Sequence, residues 1–321
     1  MMDDPLNGFN PFASEIDFQN TFEEYALEGK PEDRALRLAR IKNLWEKYKG
    51  EDDVVSFKEL EETMQNEPPA VKVFTKYDSL NKLIDGFRYE QLVVLSAQEK
   101  TGKTSFAIEL VDSLEDTNPC YFLFEQSAQE IIRQRKERGQ EVPHGYAPKK
   151  NIDNRWAWVE KRMMESMVKY GSRVFVIDNV DWLEKEYGYN QRTDEVMRDL
   201  LLKVKNFCKQ WEVIIFLIAH VKKVPMDVIP QPDDIKDTSA FKQIADIVLI
   251  LWRKTKEEKV EGTKTKAPYR TNETLLWVAE NRQTGKTGYT QFVFNGKNFI
   301  EETWDAAIAA TEEFNQYAAK F

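Results

Sequence analysis

An α/β fold around a mostly parallel central sheet is predicted by three observations. Five continuous apolar bursts punctuate residues 92–251, stretches of helical periodicity fall between them, and the first burst runs straight into a Gly-Lys-Thr turn that opens a helix. Unbroken apolar runs suit parallel strands buried on both faces, and the intervening helices supply the crossovers that parallel strands require.

Taken in order, residues 1–31 mix Asn, Gly, Pro and acids with Phe9, Phe12, Phe18 and Phe22, which predicts a partly ordered arm whose aromatics can dock on another surface. From Glu32 to Tyr48 the spacing of Leu38, Ile41, Leu44, Trp45 and Tyr48 predicts one amphipathic helix, with Arg34, Arg37, Arg40 and Lys47 off its apolar face and Gly50 closing it. Glu51–Glu67 is acidic, and Pro68-Pro69 ends it in an extended segment where a domain boundary is expected. The strands follow at Leu92–Leu95, Tyr121–Phe124, Val174–Ile177, Val213–Ile218 and Ile247–Leu251, with helical patterns at about 105–115, 127–138, 154–170 and 192–210. Leu275–Val278 and Phe292–Phe294 predict a hairpin or meander at one sheet edge.

The chain has 321 residues, 41% hydrophobic and 31% charged, with a formal net charge of -9. Residues 1–70 carry 17 acids against 8 bases, so the whole deficit lies there and the remainder is neutral. This excludes a polycation that coats nucleic acid through bulk charge; any such contact has to be local. Cys120 and Cys208 are too few for a disulfide framework and fit two buried thiols in a reducing compartment. No apolar run approaches the roughly 20 residues of a membrane span, and Met1-Met2-Asp3-Asp4 lacks the basic start of a signal peptide. A soluble, cytoplasmic protein with no membrane partner is expected.

The strongest motif is Ala97-Gln98-Glu99-Lys100-Thr101-Gly102-Lys103-Thr104, followed by Ser105 at the start of a helix. In a phosphate loop, successive backbone N–H groups and a helix N-terminus converge on a phosphate, the lysine reaches the β/γ oxygens and the threonine hydroxyl ligates Mg²⁺. ATP and Mg²⁺ are therefore the expected ligands, held by Ala97 to Ser105. The usual first glycine is Ala97 here. A second Gly285-Lys286-Thr287 precedes a β-patterned stretch instead of a helix and reads as a hairpin turn. Asp178 closes the third burst, where a carboxylate can hold Mg²⁺ through water, and Glu125 ends the second, placed to polarise an attacking water.

This order of motifs resembles the hexameric replicative DNA helicases of the DnaB type, built on a RecA-like phosphate-loop ATPase core. The residues that carry the resemblance are Tyr77-Asp78-Ser79-Leu80-Asn81-Lys82-Leu83, Gly86, the Ala-first loop through Gly102-Lys103-Thr104, Phe124-Glu125-Gln126-Ser127, Val176-Ile177-Asp178-Asn179 and Gln243-Ile244-Ala245-Asp246. Ile218-Ala219-His220 and Glu280-Asn281-Arg282 are similar to the phage primase-helicase and mitochondrial Twinkle branch. The resemblance covers about 75–301 and implies an acidic N-terminal arm and linker helix over 1–70, an ATPase domain over 71–301 and a C-terminal helical tail over 302–321.

By resemblance, Lys103 and Thr104 bind phosphate and Mg²⁺, Asp178 supports the metal, Glu125 is the catalytic base, His220 senses the γ-phosphate and Arg282 is an arginine finger that reaches a neighbouring subunit's site. The family's lysine two residues before the finger is Glu280 here, which weakens the hydrolysis trigger or leaves that role to Arg253 or Lys286. The helix at 32–48 corresponds either to the family's linker helix on the adjacent subunit or to a helix covering the sheet's own flank. Single-stranded DNA in this family is held by two loops, here about Lys185–Arg192 and Lys222–Lys242, the second carrying Lys222, Lys223, Lys236 and Lys242. The implied function is an ATP-dependent single-stranded DNA translocase, a replicative helicase of a phage or similar element. It would act as a homo-oligomeric, hexameric ring with a primase, loader or polymerase as a further partner. A non-unwinding RecA-fold ATPase such as a recombination mediator, and a nucleotide-gated ring adaptor, are the competing readings.

Overall fold

A computed structural model describes residues 15–28, 30–49, 54–66, 70–114, 117–186, 193–235, 240–259 and 266–302. The chain divides into two compact units, Met1–Pro69 with Lys161–Ser172, and Ala70–Glu160 with Arg173–Phe321.

In the first unit, α1 (Glu15–Leu27) packs on α2 (Arg34–Lys49). Phe18, Phe22 and Tyr25 of α1 are buried with Ile41, Leu44 and Trp45 of α2, and the Phe18 ring centroid lies 4.8 Å from Phe22 and 5.4 Å from Trp45. The arm expected over 1–31 is thus a helix from Glu15 onward, because a phenylalanine pair at i, i+4 finds a partner face. Phe9 and Phe12 lie outside the described residues. The apolar face of α2 also differs from the expected one: Leu38 is 40% exposed while Arg37 is buried. Arg37 caps the α1 C-terminus by donating to Glu28 O and pairs with Asp33 at 3.6 Å, so its charge is met by carbonyl and carboxylate. Arg40 donates to the carbonyls of Val168 and Lys169 at 3.3 and 3.0 Å, at the end of the helix that contains them. The acidic stretch, for which the sequence predicts no element, contains the exposed helix α3 (Phe57–Asn66), started by a capping box in which Ser56 and Glu59 bond each other's backbone N–H.

The second unit begins with the two-residue strand β1 (Lys72–Val73), helix α4 (Asp78–Ile84) and β2 (Phe87–Arg88), which pairs β1. The central strands and helices follow in the order β3 (Leu92–Ala97), α5 (Lys103–Asp112), β4 (Cys120–Leu123), α6 (Ala128–Glu137), α7 (Trp156–Tyr170, assigned to the first unit from Lys161 on), β5 (Val174–Asp178), α8 (Thr193–Trp211), β6 (Ile214–His220), α9 (Ala240–Ile244) and β7 (Ile247–Lys259). β8 (Lys266–Asn281), β9 (Gly288–Phe294) and β10 (Phe299–Glu301) complete an eight-stranded sheet of order β10-β9-β8-β7-β3-β6-β5-β4. β3 to β7 are mutually parallel, and β8 to β10 form the antiparallel meander expected at one edge. All of β3 is buried, as its continuous apolar run requires in the middle of a sheet covered on both faces.

The segment Tyr77–Leu83 anchors α4 to this core. Tyr77 stacks on Phe106 at 6.3 Å, meets Phe292 edge-on at 4.9 Å and donates its hydroxyl to the buried Glu109, whose carboxylate also takes Lys76 at 2.9 Å and the Phe299 N–H. Both cysteines are buried thiols outside any disulfide. Among the described residues no helix is long and apolar enough to cross a membrane.

Candidate functional site

Parallel β3, β4, β5 and β6 end on the same side of the sheet, so every loop after them gathers at one edge. The turn after β3 is set by backbone conformations that side chains disfavour: Gly102 has φ +96° and Lys100 φ +60°. Gly102 caps α5, whose first intrahelical bond is Phe106 N–H to Gly102 O at 2.9 Å. The N–H groups of Lys103, Thr104 and Ser105 thus open outward at the positive end of the helix, a seat for an anion. Glu99 and Lys100 are exposed; Gln98, Thr101 and Lys103 are buried.

Burial pushes the Lys103 ammonium below its usual pKa, against the pull of the Asp178 and Glu125 carboxylates. Its Nζ lies 3.1 Å from His220 Nδ1 at the end of β6. An ammonium can only donate, so Nδ1 accepts and the imidazole proton sits on Nε2. That atom is 2.7 Å from Glu125 Oε1. Asn179 Nδ2 also donates to Glu125 Oε1 and stands 2.8 Å from Nε2, so two donors converge on one carboxylate oxygen. Beside them Thr104 Oγ1 donates to Asp178 Oδ2 at 2.5 Å. Asp178 is 2% exposed, and burial raises its carboxyl to about 6, although the Thr104 bond pulls the other way. Its Oδ1 is buried with no hydrogen-bond partner. An orphaned anionic oxygen next to a threonine hydroxyl fits a hard cation that takes its remaining ligands from phosphate and water.

Arg282 is elsewhere. Its N–H bonds Asp246 O at 2.9 Å, and Asp246 N–H bonds Leu92 O, which sets Arg282 level with the start of β3. The phosphate loop follows the other end, five residues and about 16 Å away at ~3.3 Å per residue. The exposed guanidinium donates to the carbonyls of Lys242, at 3.2 Å, and Gln243 at the end of α9. Glu280, on the same edge, is 3.9 Å from Lys242 Nζ, so a cation stands next to Arg282 although residue 280 is acidic. Lys286 is exposed in the β8–β9 turn, and Arg253 Nε donates to Thr271 O.

The lysines expected to meet DNA separate into two places. Lys222 and Lys223 are exposed immediately after β6, beside the phosphate loop. Their loop is closed by a bridge between Val221 and Ile235, with Lys222 Nζ 3.4 Å from Asp233 O. Lys242 belongs to α9, with Asp233 and Glu280 carboxylates each 3.9 Å from Nζ. Lys236 lies outside the described residues, as do residues 187–192 of the other expected loop and residues 303–321 of the expected tail.

Two contributors have no role assigned from the sequence. Asn179 follows the strand-end Asp178, and no pattern marks it as the residue that bonds Glu125. Arg270 Nη2 reaches Gln98 Oε1 at 3.4 Å from β8, a contact set by the sheet order alone.

A strand, phosphate turn and helix in the middle of a parallel sheet, with acids and a histidine at three neighbouring strand ends, define a RecA-like phosphate-loop α/β domain. The family model described as the DnaB-like helicase C terminal domain matches residues 72–170 and 156–300, and the chain belongs to that family. It is 21% identical over 274 residues to the replicative DNA helicase DnaB of Leifsonia xyli subsp. xyli, spanning 75% of this chain and 58% of the relative. Against the replicative DNA helicase DnaB of Geobacillus stearothermophilus it is 19% identical over 211 residues, 56% of this chain and 46% of the relative. The chain therefore spans about half the length of these relatives. The fold matches a solved ATPase domain at a TM-score of 0.61 and 16% identity, over 78% of this chain and 100% of that one. A DnaB-like replicative helicase solved for its interactions with primase gives the same TM-score of 0.61 at 16% identity, over 89% of this chain and 75% of that one.

Proposed function

We propose that the chain is an ATP-dependent single-stranded DNA translocase, a replicative DNA helicase that works as a homo-oligomeric ring in the cytoplasm. One observation carries this: Glu125, Asp178 and His220 converge on Lys103 and Thr104, whereas Arg282 stands at the opposite end of the same sheet. A complete phosphoryl-transfer site therefore needs a second copy to lend its guanidinium.

ATP with Mg²⁺ supplies the transferable phosphoryl group and a metal charge that screens its oxygens. The α5 N–H groups and Lys103 bind the phosphate oxygens. Thr104 and Asp178 would hold the metal, whose charge is matched by the Asp178 carboxylate. Glu125 orients a water and accepts its proton, kept in place by the Asn179 amide. His220 is in reach of both Lys103 and Glu125, so withdrawal of Lys103 toward phosphate is felt at the base. Arg282 of a neighbouring copy stabilises charge on the phosphoryl oxygens. Lys222 and Lys223 meet DNA phosphates, a contact multiplied around the ring. A primase, loader or polymerase is the further partner that fits a replicative role, and residues 1–70 are the arm and linker segment outside the ATPase domain.

ATPase assays with and without single-stranded DNA, together with strand displacement on a forked duplex, test this reading. Stimulation with displacement supports it. Stimulation without displacement points to a mediator-type ATPase, and neither points to a nucleotide-gated adaptor, the reading that Glu280 favours.

A further inference from the structure

The two exposed lysines after β6 are pinned on both sides by the phosphate loop. Before them, Val221 N–H donates to Ala97 O at 3.4 Å. After them, Gln98 Nε2 donates to Pro225 O at 2.8 Å and Val224 O at 3.3 Å. Lys222-Lys223 is thus a short span whose ends hang from the first two residues of the loop that binds phosphate. Gln98 is 7% exposed, and its carbonyl end faces Arg270 Nη2 at 3.4 Å, so both ends of the amide are engaged within the protein. Trp252 Nε1 holds the next carbonyl, Met226 O, at 3.2 Å. Three consecutive carbonyls, Val224 to Met226, are fastened this way, while Val228 N–H turns back to Pro225 O at 3.1 Å.

We infer that the Gln98 side chain is a positioning residue that couples nucleotide occupancy to the Lys222-Lys223 span. Its amide is directed at the cation-bearing loop, not at the anion seat formed by the α5 N–H groups. Carbonyls next to an exposed lysine pair would otherwise be free to reorient, and fixing them holds the backbone that carries the two lysines in one conformation. A shift of the turn as phosphate enters is transmitted to Pro225 by a hydrogen bond, without passing through His220. The inference rests on the translocase reading for its DNA partner, but the mechanical link is independent of it.

The test uses the full chain, a non-hydrolysable ATP analogue with Mg²⁺ and an oligo-dT probe, on wild type, Gln98→Leu and Gln98→Glu. Gln98→Glu keeps the side-chain length, Gln98→Leu is one bond shorter and apolar, and both remove the amide donors. Amide hydrogen exchange is read at Lys103–Phe106, which reports loading, and at Val221–Ile235; oligonucleotide affinity is read with and without analogue. In wild type the analogue changes exchange in both segments and tightens DNA binding. At analogue concentrations that saturate each variant's own response at Lys103–Phe106, the change at Val221–Ile235 is lost, and the analogue's effect on DNA affinity falls at least fivefold toward none. A wild-type loop response in loaded variants overturns the inference. So does a loss of DNA affinity by the same factor with and without analogue, which is mere scaffolding, and so does failure of both variants to load. A wild-type chain whose loop responds but binds no oligonucleotide sinks the translocase reading and leaves the tether standing; one whose loop does not respond sinks the tether.

Discussion

Arg282 and Lys103 stand at opposite ends of the same sheet: the first is level with Leu92 at the start of β3, the second follows Ala97 and the phosphate turn at its end. An arginine side chain reaches about 7 Å by its extended bond lengths, less than half the ~16 Å strand span between them. The two can serve one nucleotide only from different copies. Arg282→Ala is therefore expected to keep ATP affinity near wild type and to lose hydrolysis by roughly 10³–10⁵-fold. Mixing it with Glu125→Gln should restore part of the activity, since a mixed interface pairs an intact Glu125 with an intact Arg282. No rescue at any mixing ratio would contradict sharing.

Asp178 provides a pH test. Its folded-state carboxyl lies at about 6, above the unfolded value of 3.8, so the folded protein holds this proton more tightly than the unfolded chain does. The stability linked to that proton is full below about pH 4 and disappears as pH rises through about 6. Asp178→Asn keeps a partner for Thr104 and removes the buried charge. Without nucleotide or Mg²⁺, this variant should be more stable than wild type at pH 7 by on the order of 2 kcal/mol, with the gain vanishing near pH 4. Its ATPase activity should be lost. Thermal melts across pH 4–8 check the first part, and equal or lower stability at pH 7 would refute it.

Lys103→Ala is expected to abolish turnover, because no other buried cation of the phosphate turn faces the strand-end acids. Lys286→Ala, in the exposed β8–β9 turn, should leave nucleotide affinity unchanged. Fluorescent-nucleotide titration of both variants distinguishes the two Gly-Lys-Thr sequences directly.

Asn179→Leu should lower kcat about tenfold with little change in nucleotide affinity, since it withdraws one of two donors from Glu125 Oε1 while leaving the phosphate turn intact. Asn179→Gln, which retains the amide, should recover part of the loss. A change confined to KM would show that Asn179 acts on binding rather than on the base.

In the first unit, Phe18→Ala empties a fully buried position between Phe22 and Trp45. A loss of about 3–4 kcal/mol from that helix pair is expected, read as faster amide exchange across α1 and α2 with unchanged exchange in β3.

The five central strands and their helices were legible because burial on both faces leaves an unbroken apolar signature, and the phosphate turn because its glycine and lysine have single purposes. The edge meander was legible from the short apolar runs Leu275–Val278 and Phe292–Phe294. The N-terminal helix was not: Phe18 and Phe22 are apolar on a background of acids, and only a partner face makes them helical core. Leu38 and Arg37 exchanged places for a related reason, since an arginine that satisfies Glu28 O and Asp33 is more easily buried than its charge suggests. The Ser56–Glu59 capping box was present in the sequence and marks a helix start within the acidic stretch, where no helix was expected.

By itself the sequence determined the local chemistry: which turn offers N–H groups to an anion, which acids end apolar strands, and where the charge is concentrated. Those features depend on neighbours within a few residues, where covalent geometry and hydrophobic periodicity act. Only the tertiary structure decided what meets what. Strand order brings Glu125, Asn179 and His220 within hydrogen-bond distance across 95 residues of chain, carries Arg282 to the far end of the sheet, and hangs Lys222 and Lys223 from Ala97 and Gln98. Such pairings follow from the order in which parallel strands assemble, and hydrogen bonds across that order leave no spacing in the sequence to reveal them.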